Sequence, residues 1–476
     1  MRAHTSLGYV VVMGGSVAGL LTALALSDRA EQVTVLERDR YGDGPGLRPG
    51  VPQSRHTHVL LAGGIEALDA LLPGLLPELR AAGAPFLSVP GDLGVWQADG
   101  WISRRNPSAP VMTPSRPFLE HRIRERVLAV PRIAVRTGTE VTGLLGSAGR
   151  VTGVALRERG GGNGDGAGGA GDGGAGGTGT GGDGRRAEEE LPAGLVVDAT
   201  GRGSRTPAWL AAIGAPAPAE DVLDTGRAYA TATFTGEAPP ERIKGFYLVP
   251  DPGQPLGTIV LPAEDDRWMV TVSGPRDDPP PTDPEGFVDF ASRLPHPAPH
   301  KWLSSAEPLT RPVGYRHTMN RRRRYERLGS GFGGLLVVGD AVCALNPVYG
   351  QGVSVAAMNA VALTRALADG RTPSVRALQR AVLRSSGFAW EVATGADNGM
   401  PSATGNALRG GPAIRLLTRY LDRLRAHVAS DPVVCAANRD VLFLQAPPHT
   451  LVSSPRVLGR VLLRSPVPTP RDLPTP

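Results

Sequence analysis

The apolar run Tyr9-Val-Val-Val-Met13, followed at once by Gly14-Gly-Ser-Val-Ala-Gly19, constrains this chain more than any other stretch. A continuous β-branched run suits a strand buried on both faces of a parallel sheet. Leu20 to Ala30 is small and apolar at helical spacing, and Gln32-Val-Thr-Val-Leu-Glu37 reads as a second strand. Together these make one βαβ unit, which calls for an α/β fold. In a dinucleotide-binding turn the first glycine permits the tight bend, the second lets backbone approach a pyrophosphate, and the third lets helix and strand pack closely. Ser16 stands at the middle glycine position, where its hydroxyl can donate to a phosphate oxygen. The helix start beyond it offers free N–H groups to an anion. Glu37 follows Gly19 by 18 residues, at the strand end where a carboxylate can bind ribose hydroxyls. A glycine turn in an ordinary α/β fold is the alternative; the flanking strand, the helix and Glu37 in register favour a dinucleotide.

Two later segments repeat the pattern of a buried strand followed by glycines. Leu195-Val-Val runs into Asp198-Ala-Thr-Gly-Arg-Gly-Ser204, and Leu335-Leu-Val-Val runs into Gly339-Asp-Ala-Val-Cys-Ala-Leu-Asn-Pro-Val-Tyr-Gly-Gln-Gly352. Asp340 at a strand end can accept hydrogen bonds from a polyol, and Gly350 and Gly352 open a helix whose N–H groups can face an electron-rich oxygen. A simple nicotinamide dehydrogenase has no need of this late element; a longer cofactor does.

The organisation that follows has a first nucleotide-binding part over 1–220, an antiparallel sheet over 221–325, a second nucleotide-binding part over 326–370 and a helical region over 371–476. Helices are expected over 59–72, from a Ser115 cap to Val127, and over 352–368. Strands are expected near 132–143, 151–158, 229–234, 257–261 and 268–272. Residues 160–184 hold 16 glycines and read as a swollen hairpin loop whose removal leaves the rest intact.

Cys343 and Cys435 are the only cysteines, which suits a reducing, cytoplasmic setting. The Leu7–Leu26 run is broken by Gly14, Gly15 and Gly19, so it does not read as a signal peptide, and no stretch suits a membrane span. Against 51 basic and 45 acidic residues the net charge of +6 is a weak average field. No basic motif with interleaved aromatics points to nucleic acid.

The three glycine elements, in this order and spacing, resemble the FAD-dependent monooxygenases of the para-hydroxybenzoate hydroxylase fold. Pro52-Gln-Ser-Arg-His-Thr-His58, Asn346-Pro-Val-Tyr-Gly-Gln-Gly352 and Phe388-Ala-Trp390 through Asp397 are similar to a bacterial subgroup that includes the polyether ionophore epoxidases of the monensin and lasalocid type. The resemblance implies a doubly wound, Rossmann-like FAD-binding domain, an antiparallel substrate-binding sheet and a helical C-terminal region. It implies that Gly14, Ser16 and Gly19 hold the pyrophosphate, with Gly15 and Ala18 in the same turn. Glu37 would bind the ribose, Arg38 would lie near the adenine, and Arg116 would lie along the cofactor; separately, the place of the 52–58 loop before a helix puts Arg55 and His56 near the flavin or substrate. Asp340 would take a ribityl hydroxyl, and Pro347, Gly350 and Gly352 would line the flavin ring.

The activity so implied is epoxidation of alkenes in a polyene polyketide or similar lipophilic intermediate, free or on a carrier protein, through a flavin C4a-hydroperoxide formed with O2. NAD(P)H supplies the electrons, directly or through a flavin reductase. No catalytic side chain is required for an alkene, and none is assigned. The alternatives are an aromatic or indole hydroxylase, which gains from a base in the substrate sheet, and a flavin-dependent reductase or desaturase of isoprenoid-like chains. The Trp-x-Trp-x-Ile-Pro pattern of flavin halogenases is not found. His56 and His58 alternate, which could make a metal pair, but no carboxylate or thiol cluster accompanies them and no metal site is assigned. Arg321 to Arg324 read as a solvated charge run or a dock for an acidic partner. Tyr349 and Asp397 are candidates to shape the substrate cavity, and Trp390 reads as core.

Overall fold

The computed structural model describes residues 7–98, 100–159, 188–240, 242–329, 331–368, 373–467 and 471–472. The glycine-rich insertion at 160–184 lies outside the described residues; the strands on either side of it, Arg150–Glu158 and Glu189–Pro192, pair antiparallel.

In chain order the elements that position the site are β1 (Tyr9–Met13), α1 (Val17–Ser27), β2 (Gln32–Glu37), α2 (Ala62–Leu71), β3 (Gly94–Gln97), β4 (Gly100–Trp101), α3 (Arg116–Leu128), β5 (Ile133–Thr137) and β6 (Leu195–Asp198). They continue with β7 (Arg227–Thr235), β8 (Phe246–Leu248), β9 (Gly257–Pro262), β10 (Trp268–Pro275), β11 (Leu335–Val337) and α4 (Gly352–Leu367). The fold is a mixed α/β architecture, as the sequence predicts.

Five parallel strands form a sheet in the order β11-β6-β1-β2-β5. Val10 to Met13 are fully buried at its centre, which is why that strand is apolar at every position rather than at alternate ones. Helix α1 packs against α3 and α4. The expected strand over 132–143 is two strands, because Gly138 takes a left-handed φ of +64° and turns the chain between β5 and Thr139–Ser147.

The second sheet runs β7-β10-β9-β8-β3-β4, with the short strands Glu307–Pro308 and Val313–Tyr315 beside β7. Its last two strands come from residues 94–101, outside the 221–325 span read from sequence. Strand β3 joins β8 in parallel, with Val95 opposite Tyr247. Gly94 permits this approach: a Cβ there would sit 3.2 Å from the Trp101 ring and 3.4 Å from Ile243 and Phe246. Trp96 and Trp101 meet edge to face at 5.3 Å in the apolar core behind this sheet.

Residues 373–467 carry six helices among the described residues, and several start as sequence rules require. Ser374 and Asp431 accept first-turn N–H groups, and Pro412, Pro432 and Pro455 each occupy a first helical position. Arg321 to Arg324 do not form a solvated run. Arg322 and Arg324 each lie 3.3 Å from Asp221, and Arg323 lies 2.8 Å from Glu220, so a neighbouring antiparallel strand, Glu220–Leu223, pairs with these three, while Arg321 donates to the Arg202 carbonyl. Trp390 is buried, with the Arg322 guanidinium 4.9 Å from its ring centre.

Candidate functional site

Strand order explains why three motifs distant in sequence meet. Strands β1, β6 and β11 are neighbours and parallel, so the loops leaving their carboxyl ends lie side by side, where open α/β sheets bind ligands. Ala199 N–H donates to the Met13 carbonyl at 2.9 Å and Val338 N–H to the Asp198 carbonyl at 2.9 Å, carrying the pairing into the loops. One cavity of about 780 Å³ runs from these loops to the face of the second sheet.

The glycines of the first turn are needed for different reasons. Gly14 adopts φ +100°, and a Cβ there would lie 2.7 Å from the Ala199 carbonyl oxygen. At Gly19 a Cβ would fall 1.8 Å from the Gly14 carbonyl oxygen, so helix and turn pack backbone to backbone. Gly14, Ser16 and Ala18 line the cavity, whereas Gly15 and Gly19 form the turn behind it. Gly15 N–H donates to Glu37 Oε2 at 2.8 Å, and its carbonyl accepts from Tyr41 Oη at 2.7 Å.

Glu37 lines the cavity at the end of β2, beside Arg38. It belongs to a buried ionic cluster that the sequence reading missed. Arg48 Nη1 lies 3.1 Å from Glu37 and 3.6 Å from Asp39, and Arg48 Nη2 bonds Glu120. Ser16 Oγ donates to Glu120 rather than capping α1, and accepts from Arg116 Nη2 at 2.9 Å. The signal for Glu120 was its place one helical turn after Arg116. Nothing local marks Arg48, which sits in the Gly/Pro-rich loop 42–52.

At the other side of the loops, Asp340, Pro347, Gly350 and Gly352 line the cavity. Arg202, from the turn after β6, approaches Asp340 at 3.8 Å and donates to the carbonyls of Met319 and Leu345. The turn itself is held by buried Asp198, which accepts from Thr200 N–H at 2.9 Å and Oγ1 at 2.6 Å and from Thr206 Oγ1 at 2.7 Å. Gly350 takes a left-handed φ of +64° to turn into α4. Tyr349 lines the cavity and donates to buried Asp397, which also accepts from Asn320 and Asn346. Burial pushes the Asp397 carboxyl above the usual range, against those hydrogen bonds.

The far end of the cavity faces the second sheet and is lined with apolar side chains, among them Val89, Leu93, Val95, Leu248 and Leu261. The loop 52–58 stands between the two ends. Arg55 is exposed and lies off the cavity wall, and His56 takes the inward position. His56 Nδ1 bonds Thr231 Oγ1 at 3.0 Å, Thr231 bonds Thr271 at 2.7 Å, and Thr271 bonds Thr57 at 2.8 Å. Tyr229 and Tyr315 pack against the His56 ring at 5.0 and 5.3 Å. Burial, with help from Arg55, lowers His56 to about 4, so its ring is neutral at pH 7. His58 turns elsewhere, to the Gln53 carbonyl at 3.0 Å; burial and then Arg116 lower it to about 3. Val428, Cys435, Asn438, Arg439, Leu442 and Phe443 add a wall from the C-terminal helices.

The residues present fit a dinucleotide. Two helix starts, α1 and α4, border the cavity without a side-chain cap. Gln351 Oε1 is buried with no hydrogen-bond partner, and Arg116 Nε, 3.5 Å from Glu120, makes no hydrogen bond; both residues line the cavity. A ligand bearing phosphate and amide groups would satisfy such atoms.

No family model matches the chain. Protein Rv3254 of Mycobacterium tuberculosis (strain ATCC 25618 / H37Rv) is 36% identical over 372 residues, covering 75% of this chain and 73% of that protein. This chain belongs to the Rv3254 family. Among solved structures, the flavin-dependent brominase Bmp2 superposes with a TM-score of 0.64 at 18% identity, over 92% of this chain and 94% of that one. The p-nitrophenol 4-monooxygenase PnpA from Pseudomonas putida DLL-E4 gives a TM-score of 0.60 at 18% identity, over 92% and 98%. This member of the Rv3254 family therefore shares the fold of flavin-dependent monooxygenases and halogenases. No helix among the described residues is long and apolar enough to cross a membrane.

Proposed function

We propose that the chain is an FAD-dependent monooxygenase that epoxidises an alkene of a lipophilic natural-product intermediate such as a polyene polyketide. The observation that carries this reading is the single cavity, polar and glycine-lined at the β1 turn and apolar at the second sheet. Gly14, Ser16 and Arg116 would hold the pyrophosphate and Glu37 the ribose, with Arg38 beside the adenine. Asp340 would take a ribityl hydroxyl, and Pro347, Gly350 and Gly352 would flank the ring. The bound flavin, reduced by NAD(P)H directly or through a reductase, supplies the activation of O2. The chain supplies position and dryness. Val89, Leu93, Val95 and Leu261 keep water from the reacting end and hold an alkene by its apolar surface. The purified protein should bind FAD, turn yellow, and add one oxygen atom from 18O2 to a lipophilic alkene. A colourless protein that FAD cannot reconstitute would end this reading.

His56 favours a second reading, hydroxylation of a phenol. Its neutral imidazole, bonded to a row of three threonine hydroxyls that ends at the cavity wall, can accept a hydrogen bond from a phenolic hydroxyl and orient it. His56→Asn separates the two. Phenol hydroxylation, tested with p-nitrophenol, should fall about 100-fold, while alkene epoxidation should be unchanged.

A further inference from the structure

The net charge of this protein is not spread over its surface. Residues 409–464 hold nine arginines, three aspartates and no lysine or glutamate, a local excess of six. The other 42 basic and 42 acidic residues of the chain cancel. Three of the four arginines at 321–324, the densest basic run in the sequence, are paired with Asp221 and Glu220 inside the fold.

The same segment exposes apolar side chains that a water-facing surface does not need. Leu463 is 86% exposed, Leu416 69% and Leu462 56%. They belong to one neighbourhood. Tyr420 Oη, on the helix Pro412–Val428, donates to the Leu451 carbonyl at 2.6 Å. Arg423, on the same helix, donates to the Val461 carbonyl and, at 2.8 Å, to the Arg464 carbonyl, at the end of the helix Pro455–Leu463. Leu416, Tyr420 and Arg423 recur at helical spacing on one face. The exposed leucines of the two helices therefore flank a shared seam. Arg415, Arg419, Arg456 and Arg464 are exposed beside them.

We propose that these two helices form a peripheral docking surface for an anionic lipid bilayer, with Leu416, Leu462 and Leu463 entering the interface and the arginines meeting the headgroups. Leucines bordered by arginines that have no carboxylate partner among the described residues are what such a surface requires. A second copy of this chain fits less well, because a two-fold contact would bring the same excess of six positive charges against itself. The surface is for attachment, not insertion, in keeping with the absence of any spanning helix among the described residues. Its neighbour, the helix Pro432–Leu442, lends Cys435, Asn438, Arg439 and Leu442 to the cavity wall, so attachment would put the apolar end of the cavity close to lipid.

The test is sedimentation of the full-length protein with vesicles of phosphatidylcholine alone and with one-quarter phosphatidylglycerol. The wild type should pellet with the anionic vesicles at least tenfold more than with neutral ones, and lose that preference as salt is raised. Leu416→Ser/Leu463→Ser should reduce partitioning at least tenfold while leaving the circular dichroism and melting temperature unchanged, since both side chains are already exposed. Arg415→Glu/Arg419→Glu should abolish the preference for anionic lipid. Equal recovery with both vesicle types, or a stable solution dimer that the leucine substitutions dissolve, would overturn the proposal. None of these readouts depends on turnover, so they stand apart from the oxygenation assay.

Discussion

The two ends of the cavity are built by different means. At the β1 turn, backbone makes the shape: glycines without room for a Cβ, and a buried cluster of Arg48, Glu37, Glu120 and Arg116 that braces the turn. At the second sheet, side chains make the shape: an apolar lining, with hydroxyls and rings supplied by strands far apart in sequence. The first end is rigid and intolerant, because a clash or a broken ion pair there has nowhere to relax. The second can exchange one apolar side chain for another at small cost. On the proposed function, substrate choice would therefore be free to vary where FAD binding is not.

The largest expected effect that sharpens this contrast is at Gly19. Gly19→Val drives a side chain into the Gly14 carbonyl, and should cost more than about 4 kcal/mol, read as loss of soluble protein or of bound flavin. Next comes Glu120→Gln, which leaves Arg48 and Arg116 short of a buried partner. A loss of about 3–5 kcal/mol in urea unfolding is expected, together with weaker FAD binding.

A smaller effect depends on pH. His56 titrates at about 4 when folded against 6.5 in the unfolded chain, so the unfolded state binds more protons between these values. Stability should rise as pH rises from 4 to 6.5 and level off above, by about 1–3 kcal/mol for this group. His56→Gln should flatten that part of the profile, with His58 leaving a residual slope. Thr271→Val removes two hydrogen bonds at the substrate end; it should cost about 1–2 kcal/mol and leave FAD affinity unchanged. Equal loss of FAD affinity from Thr271→Val and Glu120→Gln would break the distinction between the ends. Deleting 160–184 should matter least, shifting the melting temperature by no more than about 2 °C, because loop closure entropy grows only with the logarithm of length.

What could be read from sequence follows the same division. The strand Tyr9–Met13, its glycine turn and Glu37 obey local rules of φ, packing and spacing, and all three reach the cavity edge together. Asp340 and Gly352, read by the same local rules, also line the cavity. Arg48 was not, because its partners come from β2 and α3 and no spacing rule links them. Strands β3 and β4 were missed because four residues and two residues carry too little pattern, and their pairing with β8 spans roughly 150 positions. The arginines at 321–324 misled because a charge run says nothing about the strand that will lie beside it.

The loop at 52–58 touches both ends at once. Thr57 is tied to Thr271 and His56 to Thr231, while His58 lies within the field of Arg116, which itself holds Ser16. A ligand that shifts the threonines should therefore move this strap, whose other end lies near Arg116 and the β1 turn. On the proposed function, filling the hydrophobic chamber should thus register as a change in FAD affinity, so that the grip at one end would gauge what occupies the other.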